Sequence, residues 1–251
     1  MFRRILIIAA IVVAAVYLLN ASWLAPAPSG KAQFIAHRGQ HQNFDRTGLT
    51  NDSCTATMIR PPIVEEIENT LPAMEAAFAA GASIVELDVH PTTDGKFAVF
   101  HDWTLDCRTE GAGETRSHDM AYLKTLDVGY GYTADGGQTF PLRGKGVGMM
   151  PELSDVLAAM PDKKFLINFK SKEEREGDML AAFVTKHPEW KAAIWGAYGG
   201  DAPTLRAKAL LPDLAAWGRK GLTDCLLQYE GYGWTGIVPQ ACRNSVLMVP
   251  I

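Results

Sequence analysis

Residues 84–102 read Ile84-Val85-Glu86-Leu87-Asp88-Val89-His90-Pro91-Thr92-Thr93-Asp94-Gly95-Lys96-Phe97-Ala98-Val99-Phe100-His101-Asp102. Ser83 to Val89 predicts a strand, Asp94-Gly95 a turn, and Phe97 to Phe100 a second strand. Glu86 and Asp88 stand two apart and so share one face of the first strand. Ile84, Val85, Leu87 and Val89 surround them, which predicts a strand buried on both faces, as in a parallel sheet covered by helices. A solvated strand face would leave such a pair harmless. Buried, two unpaired carboxylates are expensive, and a hard divalent cation such as Mg²⁺ or Ca²⁺ is the usual remedy.

The same alternation extends in both directions. Phe34-Ile35-Ala36 leads into His37-Arg38-Gly39 and a polar stretch to Glu66, a predicted strand ending in a long loop. Asn69-Thr70-Leu71-Pro72 opens a helical pattern through Met74, Phe78 and Ala82. Helices are predicted at Leu153 to Met160 and around Arg175 to Thr185, with a strand at Phe165 to Phe169 between them. A further strand-helix unit runs from Ala193-Ile194-Trp195 through Thr204 to Leu211. Strands alternating with helices imply parallel pairing, hence an α/β sheet or barrel. Strands near residues 34, 84, 98, 166, 194, 214 and 247 number about seven, whereas a closed (β/α)₈ barrel takes eight and typically about 250 residues. The apolar ending Val246-Leu247-Met248-Val249-Pro250-Ile251 resembles a strand, so the expectation is a truncated sequence or a barrel incomplete at its C-terminus.

A 251-residue chain with 47% hydrophobic and 21% charged residues is one ordinary globular domain, neither disordered nor multi-span. Its net charge of −4 offers no basic face for nucleic acid, so a phosphate-bearing substrate would be held by local charge or metal. Arg3 and Arg4 precede an uncharged run from Ile5 to Ala25, long enough for one bilayer crossing, and Pro26-Ala27-Pro28 ends it. A cleaved signal peptide fits less well, because no small-x-small site follows and prolines crowd that place. Residues 1–30 are therefore expected to be an uncleaved transmembrane anchor and residues 31–251 the functional domain. The arginines would stay cytoplasmic, placing the domain on the periplasmic side of a bacterial inner membrane. Cys54, Cys107, Cys225 and Cys242 suit that oxidising compartment. Three pairings or four free thiols are open; sequence proximity favours Cys225 with Cys242, which leaves Cys54 with Cys107.

Four clusters carry the chemistry, each expected at the carboxyl end of a strand: His37-Arg38-Gly39, Glu68-Asn69-Thr70, Glu86-Leu87-Asp88 and His101-Asp102. Either histidine alone reads as structural or surface. Together they bracket the carboxylates, and two imidazoles on opposite sides of a phosphodiester can serve as general base and general acid. Arg38 supplies a planar fork for phosphate oxygens, or an ion pair with Glu68, and the two can coexist.

These clusters resemble the glycerophosphodiester phosphodiesterase domain, a TIM-barrel family. Its pattern H-R-G, E-N-T-L-x-A, E-x-D-V-x-x-T-x-D-G and V-x-H-D-x-x-L reads here as His37-Arg38-Gly39, Glu68 to Ala73, Glu86 to Gly95 and Val99 to Leu105. The likeness continues through Arg108-Thr109, Leu126-Asp127-Val128-Gly129 and Met150-Pro151-Glu152-Leu153. It implies a TIM (β/α)₈-type barrel that hydrolyses a glycerophosphodiester to an alcohol and glycerol 3-phosphate. His37 and His101 would be the acid/base pair, Arg38 and Lys170 would hold phosphate, and Glu86 and Asp88, with Glu68 in support, would hold one Mg²⁺ or Ca²⁺. Where the family has E-x-K this chain has Asn168-Phe169-Lys170, so Asn168 would be a weak ligand. Glu152 is the next candidate should that strand be misaligned. Two other readings stay open: lysophospholipase D-like action on lysophospholipid in the same membrane, and an anchored phosphate-binding barrel that has lost turnover.

Overall fold

The computed structural model describes residues 2–24, 30–50, 53–243, 245 and 246. In chain order it comprises helix α1 (Phe2–Leu19), strands β1 (Ile35–His37), β2 (Asn43–Phe44) and β3 (Ile59–Arg60), helix α2 (Leu71–Ala79), strands β4 (Ile84–Pro91) and β5 (Phe97–Val99), helices α3 (Met120–Leu123) and α4 (Leu153–Ala159), β6 (Phe165–Phe169), α5 (Arg175–Lys186), β7 (Ile194–Gly199), α6 (Asp201–Leu210), β8 (Ala215–Gly218) and α7 (Arg219–Tyr232). The strand expected near residue 247 lies outside the described residues.

Five strands pair in parallel in the order β1-β4-β6-β7-β8. All eight residues of β4 are buried, as its sequence requires. Val85, Leu87, Val89, Phe165, Ile167, Phe169, Ala197 and Ala216 pack with Met74, Leu153, Val156, Leu180 and Val184 from α2, α4 and α5. The other face carries Ile84, Leu166 and Trp217, packed with Trp195, Tyr198 and Val246, together with the polar residues of the site. Among the described residues β1 and β8 are not paired to each other, so the sheet is an open arc of barrel type.

One expectation is corrected. Phe97 to Phe100 is not a parallel barrel strand: β5 pairs antiparallel with β4, Val89 opposite Val99 and Pro91 opposite Phe97. The tight turn between them is closed by Thr92, whose Oγ1 donates to Asp94 Oδ1 at 2.6 Å and whose N–H donates to the Lys96 carbonyl at 2.9 Å. After β5 the chain runs beside β3 and a long excursion, building a second apolar core from Ile59, Ile67, Phe100, Leu105, Leu123, Leu126 and Met150.

Helix α2 begins where its chemistry dictates. Thr70 is the extended N-cap, its hydroxyl facing the Ala73 N–H at 3.5 Å, and Pro72 sits in the first turn. Helix α1 is long and apolar enough to cross a membrane by length and composition, and none of it is buried against the rest of the chain.

Candidate active site

Parallel register assembles the site. His37 lies opposite Glu86, Asp88 opposite Asn168, and Asn168 opposite Tyr198, so four neighbouring strands present these side chains together near their carboxyl ends. Arg38 and Asn69 both adopt left-handed φ, 61° and 60°. Such strain persists only where the surroundings over-determine it. Here the Arg38 N–H donates to the Glu86 carbonyl and the Asn69 N–H to the Arg38 carbonyl, each at 3.0 Å. Between them Gly39, at φ 79°, leaves no room for a side chain, since a Cβ would stand 2.7 Å from the Ala73 carbonyl.

Glu86 and Asp88 are buried but differently served. Tyr198 donates its hydroxyl to Glu86 Oε1 at 2.7 Å, the Arg38 N–H lies 3.2 Å from Oε2, and His37 Nε2 is 4.0 Å away. Burial first and the Asp88 charge next push the Glu86 carboxyl up. Asp88 accepts from Asn69 Nδ2 at 3.0 Å and Asn168 Nδ2 at 2.9 Å, and pairs with Arg38 Nε at 3.2 Å and Lys170 Nζ at 3.5 Å. Burial would raise Asp88, but Lys170, His101 and Arg38 outweigh it and hold the carboxyl well below the usual range. Two carboxylates on one strand face form an oxygen donor pair that fits a hard divalent cation, while Asn168 turns its Nδ2 rather than its carbonyl onto Asp88 and so stands as a hydrogen-bond donor to the pair, not as the weak ligand its strand position predicts. Among the described residues no group of three His, Cys, Asp or Glu side chains is placed to hold a metal ion, and the third strand position is Asn168.

Glu68 faces away from this pair. Its Oε1 meets Arg38 Nη1 at 3.0 Å and its Oε2 meets Arg108 Nη1 at 3.2 Å, so both oxygens are committed to arginines. Burial would raise its carboxyl, yet Arg108 and Arg38 lower it. Glu68 can support a cation only through Arg38. Glu152 is also elsewhere: it caps α4 in a reciprocal box with Asp155 and pairs with Lys96 at 3.1 Å, lining a different groove.

His101 reaches the site by the antiparallel return, since the Phe100 N–H donates to the Asp88 carbonyl at 3.1 Å. Its Nδ1 lies 2.6 Å from Asp102 Oδ1. Burial would raise Asp102, but Arg108 and His101 hold it down to about 2, so the carboxylate accepts and Nδ1 carries the proton. His37 is pulled down to about 4 by desolvation and by Arg38, although half its side chain remains exposed. His37, Arg38, His101, Asn168 and Lys170 all line one cavity of about 930 Å³. Phe44, Leu49 and Trp103 form apolar wall, and the long first loop is tied to the loop after His101 by the Cys54–Cys107 disulfide, Cα atoms 5.6 Å apart. Cys225 and Cys242 form the second bridge. Sequence reasoning missed Tyr198, which carried no signal. It gave no role to Asn69, Asp102 and Arg108, although each lay inside or just after a quoted cluster.

A helix-backed parallel sheet with histidines, carboxylates and cationic side chains gathered at the carboxyl ends of its strands defines the barrel class of α/β proteins, which carry their active sites at that face. The family model of the glycerophosphoryl diester phosphodiesterase family matches residues 37–186, and the chain belongs to that family. It is 36% identical over 142 residues to a glycerophosphodiester phosphodiesterase of Caldanaerobacter subterraneus subsp. tengcongensis, covering 57% of this chain and 46% of the relative. It is 33% identical over 126 residues to one of Bacillus subtilis, covering 48% and 42%. The chain thus spans less than half the length of these relatives. The solved domain of an uncharacterized Mycobacterium tuberculosis protein superposes with TM-score 0.60 at 21% identity, covering 80% of this chain and 65% of that one. An Oleispira antarctica phosphodiesterase, solved with its product sn-glycerol-3-phosphate, superposes with TM-score 0.50 at 26% identity, covering 73% and 64%.

Proposed function

We propose that this chain hydrolyses glycerophosphodiesters to an alcohol and glycerol 3-phosphate. The observation that carries the reading is one cavity into which His37, His101, Arg38 and Lys170 all open beside the buried Glu86–Asp88 pair. The product bound to the Oleispira phosphodiesterase supports the same product here. Glu86 and Asp88 would hold a Mg²⁺ or Ca²⁺ ion, which when bound supplies positive charge to phosphate oxygens. Arg38 and Lys170 orient the phosphate. His37, neutral near neutral pH, accepts a proton from the attacking water, whose oxygen bonds to phosphorus as the bond to the leaving alcohol breaks. His101 acts in its imidazolium form, stabilised by the ionised Asp102 at Nδ1, and delivers its Nε2 proton to the oxygen of the leaving alcohol. Tyr198 and Asn69 fix the carboxylates by their hydrogen bonds. Helix α1 would anchor the domain in a membrane with the cavity on the extracytoplasmic side.

The apolar wall of Phe44, Leu49 and Trp103 favours a second reading, lysophospholipid as substrate with its chain along that wall. Incubation with glycerophosphocholine and lysophosphatidylcholine, each with Mg²⁺, Ca²⁺ or chelator, tests both. Release of glycerol 3-phosphate from the first, abolished by chelator, is the expected result. Phosphate-ester binding without turnover under every condition would leave the retired, phosphate-binding barrel.

A further inference from the structure

Arg108 is 1% exposed, yet it is not part of an apolar core contact alone; it is the hub of a buried polar network. Its Nε donates to Asp102 Oδ2 at 2.8 Å, its Nη1 to the Tyr132 hydroxyl at 2.6 Å, and its Nη2 to Thr55 Oγ1 at 2.6 Å. Nη1 also pairs with Glu68 Oε2 at 3.2 Å. From this hub two arms reach the cavity. One passes through Asp102 to His101 Nδ1, and the other through Glu68 to Arg38 Nη1 and on to Asp88. Signs alternate along the whole path, so each charge is neutralised by its neighbours in a place where an unpaired one would be costly. The planar guanidinium suits this, because its fork presents donors to two carboxylates at once.

We propose that Arg108 is a positioning residue that sets both sides of the reaction: it fixes Asp102 so that His101 keeps Nδ1–H turned inward and Nε2 free to the cavity, and it fixes Glu68 so that Arg38 faces the phosphate. Asp102 is the link that selects the tautomer. The Nε2–H of His90 donates to the His101 carbonyl at 3.4 Å, holding the backbone from beneath. Thr55 follows Cys54 and Arg108 follows Cys107, so the disulfide brings the hub and its partner together. This assignment rests on the two-histidine hydrolysis proposed above, and its first readout does not.

That readout is the ¹⁵N spectrum of His101 in the full-length protein without substrate, assigned with His101→Gln. The expected neutral form carries its proton on Nδ1, and Asp102→Asn shifts the equilibrium toward Nε2–H while the thermal transition stays cooperative. An Nε2–H ring in the wild type, or a tautomer unmoved by Asp102→Asn, overturns the proposal whether or not the chain hydrolyses anything. With activity on glycerophosphocholine in hand, Asp102→Asn is expected to lower kcat on the order of 10²-fold or more, with KM changed by less than about threefold. Arg108→Gln should lower kcat comparably, and Arg108→Lys, which keeps the charge but not the fork, should lower it less. Equal rates for Arg108→Lys and Arg108→Gln in folded protein would show a purely structural hub. Absence of hydrolysis in the wild type, with the Nδ1–H ring present, overturns the assigned activity and leaves the tautomer assignment standing.

Discussion

His37 and His101 are held in place by different means, and the difference bears on what their removal does. His37 is half exposed at the end of β1 and its side chain makes no close hydrogen bond among the described residues, while His101 is tied to Asp102 at the cavity edge. Neither belongs to an apolar core. His37→Ala and His101→Ala are each expected to lower turnover by about 10²-fold to 10⁴-fold with the thermal midpoint nearly unchanged; an unfolded variant would reassign that histidine to structure. Asn168 is the other informative residue. Its amide donates to Asp88 at 2.9 Å, so Asn168→Glu replaces a donor with a second negative charge against a buried carboxylate. Without metal the variant should melt lower than wild type, because like charges buried together repel. With Mg²⁺ or Ca²⁺ it should gain more stability than wild type, since an added carboxylate tightens a hard cation. Thermal midpoints titrated with each metal and with chelator decide it. Equal metal shifts in both proteins would place the cation away from β6.

At the scale of elements, the segment 68–73 does two jobs. Asn69, in left-handed φ, turns its amide onto Asp88, and the next residue caps α2. Thr70 is buried, its hydroxyl donating to the Ile67 carbonyl at 2.6 Å as well as facing the Ala73 N–H. Thr70→Ala leaves both groups without that partner and should destabilise the fold by about 1–2 kcal/mol, read as a lower urea midpoint at constant slope. Activity should fall in step with Asn69 losing its anchor, and an unchanged midpoint would mean the cap contributes nothing. The antiparallel β5 matters equally. Its return along β4 sets His101 beside Asp88.

Across the molecule, the strand-helix alternation from Phe34 to Leu211 was legible, because buried strands and amphipathic helices leave periodic marks of their own. Periodicity does not say which neighbour a strand takes, so β5 was counted as parallel. Helix α7 was missed, its Gly221 and Gly231 lowering helix propensity inside the element. In the site, the shared face of Glu86 and Asp88 was readable from spacing alone, while Tyr198, 112 residues from Glu86, depends on a register that only the folded sheet sets. The two cysteine pairs were favoured by proximity and exported context, and they make a sharp test of how the whole chain holds its cavity. Cys54–Cys107 closes 53 residues of chain, Cys225–Cys242 only 17. Chain entropy then gives about 4 and about 3 kcal/mol respectively, so replacing either pair by serine should cost comparable stability. Their effects on substrate should differ. Cys54 and Cys107 line the cavity, and their bridge holds the loop bearing Leu49 over it, whereas Cys225 and Cys242 do not line it. Cys54→Ser with Cys107→Ser should therefore raise KM several-fold, with a smaller effect on kcat because Arg108 keeps its own hydrogen bonds. Cys225→Ser with Cys242→Ser should leave KM unchanged at a temperature where both proteins are folded. Urea unfolding and steady-state kinetics on the two double variants give the comparison, and equal KM values would mean that the first loop takes no part in holding substrate.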